Sequence, residues 1–175
     1  WSRAEIAAQG DKAPGRTLLY VDDAVELFFL QVQGSGRVKM PDGSMVRLNY
    51  GDQNGHPYQS IGKVLIERGE LKLEEASMQG IQAWARANPA RLNDLLNANP
   101  SYVFFREVPN SADGPQGALG VPLVAERSIA VDPRSVPLGA PVFLATTRPN
   151  SNQAMNRLVM AQDTGGAIKG AVRAD

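Results

Sequence analysis

The stretch Arg157-Leu158-Val159-Met160-Ala161-Gln162-Asp163-Thr164-Gly165-Gly166 joins an apolar run to an aspartate and a pair of glycines. Short runs of this kind, rich in β-forming residues and bounded by turn formers, are typical of strands. Paired glycines let the backbone approach a ligand or another chain segment closely. The sequence therefore predicts a strand that carries Asp163 to its edge, beside a glycine turn.

Two more runs of the same character, residues 128–131 and 141–146, precede this stretch. Asp132 directly follows the first of them, and Asp175 lies twelve positions beyond Asp163. Residues 101–175 are therefore predicted to form an all-β region that is half of a barrel or a sandwich. We expect the three carboxylates, each at the end of a β segment, to cluster on one face of that region.

Residues 1–100 mix strand and helix signals. Asp42-Gly43 between two alternating runs predicts a hairpin, and the apolar spacing from Ile61 and the cap at Ser77 predict two helices. Asp22-Asp23 can cap a helical turn over residues 24–30, but that run could equally lead straight into a strand, and residues 30–33 alternate apolar and polar. A boundary near Pro100 is expected to separate this α+β region from the all-β region.

Charge and composition exclude several classes of function. The 175 residues include 18 Lys plus Arg and 18 Asp plus Glu, so there is no net field to hold a polyanion, and no nucleic-acid partner is expected. Cysteine is absent and His56 is the single histidine, which removes thiolate metal sites, disulfides and Ser-His-Asp triads. We expect no metal and no other cofactor, and catalysis that rests mainly on carboxylates.

Glycosidic-bond cleavage is a reaction that carboxylates alone can perform. It needs a carboxylic acid to protonate the leaving oxygen, held neutral by an apolar or like-charged surrounding. The alternative is that each aspartate serves a turn, since Asp after a strand, and Asp132-Pro133 in particular, commonly starts one. Spacing alone does not tell which carboxyl group is the acid.

Four longer motifs occupy residues 28–36, 54–62, 99–105 and 162–170. They read Phe-Phe-Leu-Gln-Val-Gln-Gly-Ser-Gly, Asn-Gly-His-Pro-Tyr-Gln-Ser-Ile-Gly, Asn-Pro-Ser-Tyr-Val-Phe-Phe and Gln-Asp-Thr-Gly-Gly-Ala-Ile-Lys-Gly. Together, and in this order, they resemble the membrane-bound lytic murein transglycosylase A family. The motifs span most of the chain, so the resemblance is far more specific than any short pattern.

The resemblance implies a mainly β protein with some α. Its expected fold is a double-psi β-barrel with a smaller inserted α+β domain and a glycan groove between the two. Residues 1–100 correspond to the inserted substrate-groove domain, and residues 101–175 to an incomplete portion of the catalytic barrel. Family members have further sequence on both sides, so we expect the chain to be a piece of a longer protein.

The resemblance also implies a reaction. It is the non-hydrolytic cleavage of the β-1,4 bond between N-acetylmuramic acid and N-acetylglucosamine in peptidoglycan, which leaves a 1,6-anhydro ring. The family's three characteristic aspartates match Asp132, Asp163 and Asp175, with Asp175 as the general acid/base and Asp163 as its electrostatic neighbour. One carboxyl group suffices for both proton transfers because the nucleophile belongs to the sugar itself.

Two other functions stay open at this point. One is a glycan-binding module that holds sugar without cleaving it. The other is an endoglucanase-like hydrolase on the same barrel, which needs a second carboxylate to activate water. Asp132 is the candidate for that second carboxylate.

Sugars are bound by hydrogen-bonding groups and aromatic surfaces, and the family-like motifs contain both. The ordinary alternatives are that the serine and glycine positions form turns, that Tyr58 packs, and that Lys169 is solvated. The candidate substrate-binding residues are Gln33, Ser35, Tyr58, Ser60, Ser101, Tyr102, Thr164, Gly165 and Lys169.

The partners that the resemblance implies are peptidoglycan glycan strands, bound by a monomer. The full-length protein is expected at the periplasmic face of the outer membrane of a Gram-negative bacterium, attached to that membrane and to other wall enzymes. Within the chain itself, no apolar run approaches the roughly 20 residues that span a bilayer.

Overall fold

The structure, a computed structural model, describes residues 1–13, 15–111, 113–149 and 151–175. The chain divides into two compact units, residues 1–108 and residues 109–175. Short 3-10 turns occupy Gly10–Lys12, Leu73–Glu75 and Pro89–Arg91. The helices and strands of the first unit are α1 (Arg3–Gln9), α2 (Ala24–Gln33), β1 (Ser35–Lys39), β2 (Met45–Gln53), α3 (Ile61–Glu67), α4 (Met78–Ala87), α5 (Leu92–Asn97) and β3 (Val103–Val108).

The run over residues 24–30, which suited either a helix or a strand, lies in helix α2, as do the alternating residues up to Gln33. The Asp23 side chain accepts hydrogen bonds from the backbone N–H groups of Val25 and Glu26 and so caps the helix. Gly34 ends it in the left-handed conformation, with φ of 78°, which favours glycine at this position. The two caps therefore hold the ten residues between them in helix, although the last of these residues alternate apolar and polar.

Strands β1, β2 and β3 form an antiparallel sheet in that order. The predicted hairpin around Asp42-Gly43 is confirmed, because β1 and β2 flank that turn. Strand β3 pairs with β2, with a bulge between Tyr50 and Asp52. Through this pairing, the first compact unit extends to Val108.

The two predicted helices are confirmed as α3 and α4, and with α5 they pack into the core of the first unit. Ser60 and Ser77 cap α3 and α4 by accepting backbone N–H groups. The central side chains are almost free of solvent contact, and burial of this kind supplies most of the free energy that holds such helices in place. The fully buried members are Phe28, Ile61, Leu65 and Leu95.

The second unit contains strands β4 (Ser128–Ala130), β5 (Pro141–Thr147) and β6 (Ala154–Asp163), so all three runs predicted as strands are confirmed. Their order in the sheet is β4-β6-β5. Strand β6 pairs parallel with β4 and antiparallel with β5. A small core of Ile129, Val131, Val159 and Ala161 lies under this sheet.

The chain is a mixed α and β structure with two open three-stranded sheets. Over the residues that the structure describes, neither sheet closes into a barrel. No described helix has both the length and the apolar character that crossing a membrane requires.

Candidate active site

The backbone positions of the three aspartates meet at one end of the second unit's sheet. Ala130 and Asp175 exchange backbone hydrogen bonds in both directions, at 2.8 and 3.1 Å. The Val131 N–H donates to the carbonyl oxygen of Asp163 at 3.0 Å, and Asp132 is the next residue along the chain. The three carboxylates therefore start from neighbouring points of the backbone, as their positions at strand ends predicted.

Asp132 is used as an internal anchor. Its side chain is buried, with 5% of its surface exposed, and it accepts the backbone N–H groups of Gly170 at 2.9 Å and Arg134 at 3.1 Å. These two bonds, with the positive charges of Arg134 and Lys169, hold the pKa of Asp132 below its usual range. A carboxylate stabilised in this way holds the turn over residues 164–170 against β4 and is a poor proton donor.

Asp163 lies at the end of β6 and is half-buried. Its Oδ1 accepts the backbone N–H of Ala118 at 2.9 Å, and the Leu119 N–H donates to the carbonyl oxygen of Gln162 at 3.0 Å. A Cβ on Gly117 would lie 2.5 Å from that same Gln162 oxygen. The loop around residues 115–124 thus fixes one carboxylate oxygen of Asp163, and it approaches β6 closely because residue 117 is glycine.

Asp175 presents an exposed side chain from a fixed backbone. Its Oδ1 accepts a hydrogen bond from the Arg173 guanidinium at 3.2 Å, and both side chains are more than half exposed. Ion pairs exposed to this degree contribute little free energy, so this contact does little to hold the carboxyl group in place.

The glycine turn that follows Asp163 is held by a buried side chain. The Ile168 N–H donates to the carbonyl oxygen of Gly165 at 3.0 Å, and Ile168 is buried. A Cβ on Gly165 would lie 2.8 Å from Cγ1 of Ile168, so glycine makes this packing possible. Thr164 and Gly165 are half-buried, whereas Lys169 is exposed.

In the first unit, Gln33 and Ser35 lie on either side of the helix-ending Gly34. Gln33 is exposed and Ser35 half-buried. Gln33 also lines a cleft of about 360 Å³ whose walls are mainly apolar residues of α2 and β1. The remaining lining residues are Val21, Glu26, Leu27, Phe29, Leu30, Gly36, Arg37, Val38, Lys39 and Met78.

Tyr58 and Ser60 belong to the loop before α3. Tyr58 is 36% exposed, so its ring is available as an aromatic surface. Ser60 is half-buried, and its hydroxyl oxygen accepts the Lys63 N–H at 3.3 Å as the cap of the helix. Ser60 thus has a structural task in addition to any ligand contact.

Ser101 and Tyr102 are held by two asparagine side chains that the sequence analysis did not single out, the buried Asn99 and the half-buried Asn54. Asn99 is 1% exposed, and its Oδ1 accepts the N–H groups of Ser101 at 3.2 Å and Gln59 at 3.0 Å. The Oδ1 of Asn54 accepts the Tyr102 N–H at 2.9 Å. Both asparagines open a family-like motif, which is the signal that could have identified them.

Arg3 joins the same network from helix α1. Its guanidinium donates to the carbonyl oxygens of Asn99 at 3.2 Å and Ser101 at 2.8 Å, and it lies 4.7 Å from the centre of the Phe28 ring. Burial lowers the pKa of Arg3 to about 10. The sequence contains no local signal for this role, because Arg3 lies far along the chain from Asn99 and Ser101.

Among the described residues, no three His, Asp or Glu side chains come together as a group of metal ligands. At the sheet end, Asp132 is buried and anchored as a carboxylate by the Gly170 N–H.

Two family models match the chain. The model described as the MltA specific insert domain covers residues 1–106, and the model described as the 3D domain covers residues 127–175. The insert model thus matches the sheet and helices of the first unit, and the second model contains all three aspartates.

Named relatives agree with these matches. The membrane-bound lytic murein transglycosylase A of Escherichia coli strain K12 is 42% identical over 97% of this chain and 47% of its own length. The structure of the lytic transglycosylase LtgG of Burkholderia pseudomallei is 62% identical, with a TM-score of 0.69, over 99% of this chain and 52% of that one. The crystal structure of Escherichia coli MltA with bound chitohexaose is 41% identical, with a TM-score of 0.83, over 97% of this chain and 52% of that one.

The relatives thus point to one class of protein, the lytic transglycosylases. The chain belongs to the membrane-bound lytic murein transglycosylase A family, which the resemblance of the four motifs predicted. It spans about half the length of the curated relatives that it matches.

Proposed function

We propose that the protein containing this chain is a lytic transglycosylase that cleaves the β-1,4 bond between N-acetylmuramic acid and N-acetylglucosamine in peptidoglycan. The observation that carries the proposal is the end of the second unit's sheet. There Asp175 is paired to Ala130 through its backbone while its carboxyl group is exposed. Family membership supports the same reaction class.

The proposed reaction uses the Asp175 carboxyl group twice. As an acid, it gives its proton to the oxygen that leaves C1 of the muramic acid, and the glycosidic bond breaks. As a base, it then takes the proton of the sugar's C6 hydroxyl, whose oxygen bonds to C1 and closes the 1,6-anhydro ring. The proton returns to Asp175, and no water molecule is consumed.

We assign Asp163 as the electrostatic neighbour of Asp175. The Ala118 N–H donates to one oxygen of Asp163, and this hydrogen bond orients the side chain. Asp132 is assigned a supporting role, because two backbone N–H groups occupy its two oxygens. With both oxygens used, Asp132 is poorly placed to activate water, which disfavours the hydrolase alternative.

The first unit is proposed as the inserted domain that holds the glycan, and the second as part of a double-psi β-barrel. The proposed glycan contacts come from the exposed or half-buried candidates, and Asn54 and Asn99 support the loops that carry several of them. The glycan contacts that we propose are Gln33, Ser35, Tyr58, Ser60, Ser101, Tyr102, Thr164, Gly165 and Lys169.

Peptidoglycan strands are the proposed partner, and the chitohexaose in the structure of the Escherichia coli relative supports binding of a β-1,4-linked glycan. The names of the curated relatives include the word membrane-bound. We therefore propose that the full-length protein is anchored at the periplasmic face of the outer membrane, acts as a monomer and associates there with other wall enzymes.

The decisive experiment compares full-length wild type with Asp175→Asn on purified peptidoglycan, with products identified by mass spectrometry. We expect anhydromuramic products from the wild type, and turnover lower by at least about 100-fold in the variant, since general acid–base groups commonly contribute that much. Asp113→Asn, an exposed position of the same unit, is the matched control and should retain turnover.

Three results would each reject part of the proposal. Reducing-end muramic acid without an anhydro product would indicate a hydrolase. Binding of glycan without cleavage by the wild type would indicate a glycan-binding module. Full activity of Asp175→Asn would remove Asp175 from the role of acid and base.

A further inference from the structure

Arg3 of helix α1 is a buried arginine without a carboxylate partner. The residue is 7% exposed, and among the described residues no carboxylate forms an ion pair with it. Its guanidinium donates to the carbonyl oxygens of Asn99 at 3.2 Å and Ser101 at 2.8 Å. It also lies 4.7 Å from the centre of the Phe28 ring and 5.2 Å from the centre of the Tyr102 ring. Two carbonyl oxygens and two aromatic rings therefore compensate the charge.

Burial of this charge is unfavourable. An ionised side chain loses its hydration in the interior, and neutral partners restore only part of that free energy. In agreement with this, burial lowers the pKa of Arg3 to about 10. An apolar side chain would fill the same space without the loss of hydration, so stabilisation of the fold is a weak reason for an arginine here. What an arginine adds is a rigid fork of donors, which fixes the groups that it binds.

Arg3 binds the carbonyl oxygens of three consecutive residues. Its backbone N–H donates to the carbonyl oxygen of Pro100 at 2.9 Å, between the two carbonyls that the guanidinium holds. The Asn99 side chain in turn accepts the N–H groups of Ser101 and Gln59. The segment before β3 is thus fixed at each of its residues from 99 to 101, and the loop before α3 is attached to the same segment.

Tyr102 follows directly after this fixed segment. The Asn54 side chain accepts the Tyr102 N–H at 2.9 Å, and the centre of the Tyr102 ring lies 5.1 Å from that of Phe104. Because the Arg3 guanidinium lies close to the ring as well, cation–π attraction contributes to its orientation. Tyr102 is half-buried, so part of it is in contact with solvent. A side chain that is already oriented binds a ligand with a smaller loss of conformational entropy.

We propose that Arg3 is a positioning residue for glycan binding, which orients the Tyr102 ring and the backbone of residues 99–101 before the glycan binds. The inference rests on the proposed function, because it takes Tyr102 as a glycan contact. It adds to that function a residue of α1 that acts through Tyr102 and takes no part in proton transfer. Loss of this positioning weakens the ground state and the transition state equally, which raises KM and leaves kcat unchanged.

The test uses the full-length protein, with chitohexaose as a soluble β-1,4-linked probe in calorimetric titrations and peptidoglycan as the substrate. Arg3→Met keeps a long side chain but removes the charge and the donors. It should raise the Kd for chitohexaose about tenfold, which corresponds to about 1.4 kcal/mol, and raise KM similarly at unchanged kcat. Arg3→Lys keeps the charge without the planar fork and should give an intermediate Kd. Arg86→Met, at an exposed arginine of α4, is the matched control and should bind as the wild type.

A double-mutant cycle shows whether Arg3 acts through Tyr102. Tyr102→Ala alone should raise the Kd for chitohexaose, and Arg3→Met added to it should raise the Kd little further. Independent sites contribute additively, whereas coupled sites do not. Additive effects of the two substitutions on the Kd would therefore overturn the proposal.

Two more results would overturn it. In the first, Arg3→Met loses free energy of unfolding in a urea titration but binds chitohexaose as the wild type does, so that Arg3 is structural only. In the second, which decides if Arg3→Met does not fold, Arg3→Lys has the Kd of the wild type. A wild type that binds chitohexaose but releases no anhydromuramic product from peptidoglycan would instead reject the proposed function, so the two failures are distinguishable.

Discussion

At the scale of single residues, the three aspartates of the second unit differ in what surrounds their oxygens. Asp132 accepts two backbone N–H groups and Asp163 accepts one, whereas the Asp175 carboxyl group accepts a hydrogen bond from the exposed side chain of Arg173. The same residue type thus supports an anchor, an oriented neighbour and an accessible group.

The anchor has a consequence for stability at low pH. Because the pKa of Asp132 is held below its usual range, its contribution to stability is present above the ordinary aspartate pKa of about 3.9 and is lost as pH falls through the lowered value. The free energy of unfolding, measured by urea titration, should decline from about pH 5 downwards. Asp132→Asn should flatten this decline, and the exposed Asp113→Asn should follow the wild type.

The same experiment shows whether the anchor is real. A pH dependence that is identical in wild type and Asp132→Asn would mean that the hydrogen bonds from Gly170 and Arg134 do not stabilise the charged form. Glu126 would then be the next carboxylate to test, because its pKa is also lowered, first by its hydrogen bond with Arg157.

At this scale, the spacing of residues in the sequence predicts which of them end a strand, but not which distant residues they contact. The placement of Asp132, Asp163 and Asp175 at strand ends followed from the apolar runs before them. Asp132 was also recognised as a turn former, and its buried anchor role depends on Gly170, a contact 38 residues along the chain. Arg3 and Asn99 are in contact although they are 96 positions apart in the sequence. No local sequence pattern could have predicted this contact.

At the scale of elements, the 115–124 loop and strand β6 act as one support for Asp163. The loop donates the Ala118 and Leu119 N–H groups to Asp163 and Gln162 respectively. Its close approach depends on the absence of a side chain at Gly117.

We therefore expect Gly117→Ala to move the loop away from β6 and to release the Asp163 oxygen. In the full-length protein, turnover of peptidoglycan should fall by about 10- to 100-fold, the cost of a small misplacement in an oriented site. Leu119→Ala keeps the backbone N–H and alters an exposed side chain, so it is the matched control. Equal turnover in Gly117→Ala and wild type would exclude the loop from positioning Asp163.

The strands of the second unit were predictable because each is an apolar run between turn formers. Helix α2 was not decided by its own composition, since its last residues alternate like a strand, and the caps at Asp23 and Gly34 determine the outcome. The pairing of β3 with β2 could not be predicted either, because residues 45–53 and 103–108 are far apart in the sequence.

At the scale of the whole molecule, the described residues form two hydrophobic cores, one in each compact unit. Leu65 and Ile129 are buried in the first and the second core respectively. Each substitution is therefore expected to act on the unit whose core it opens.

Leu65→Ala and Ile129→Ala should each cost about 2 to 5 kcal/mol, the usual range for a cavity left by a large aliphatic side chain. Hydrogen exchange followed by mass spectrometry should then rise over residues 1–108 in the first variant and over residues 109–175 in the second. Leu73→Ala, at a position 79% exposed, is the control and should leave both patterns unchanged. Uniformly faster exchange across the chain in either variant would contradict two separate cores.

The pairing of Asp175 with Ala130 uses only main-chain atoms, so the Cα position does not depend on which side chain the residue carries. Removal of that side chain, as in Asp175→Gly, should leave an open space of fixed shape at the sheet end. A small diffusible carboxylate such as formate fits such a space in size and charge. Restoration of turnover by formate in that variant would therefore show that the missing carboxyl group itself is required, because formate would not repair a folding defect.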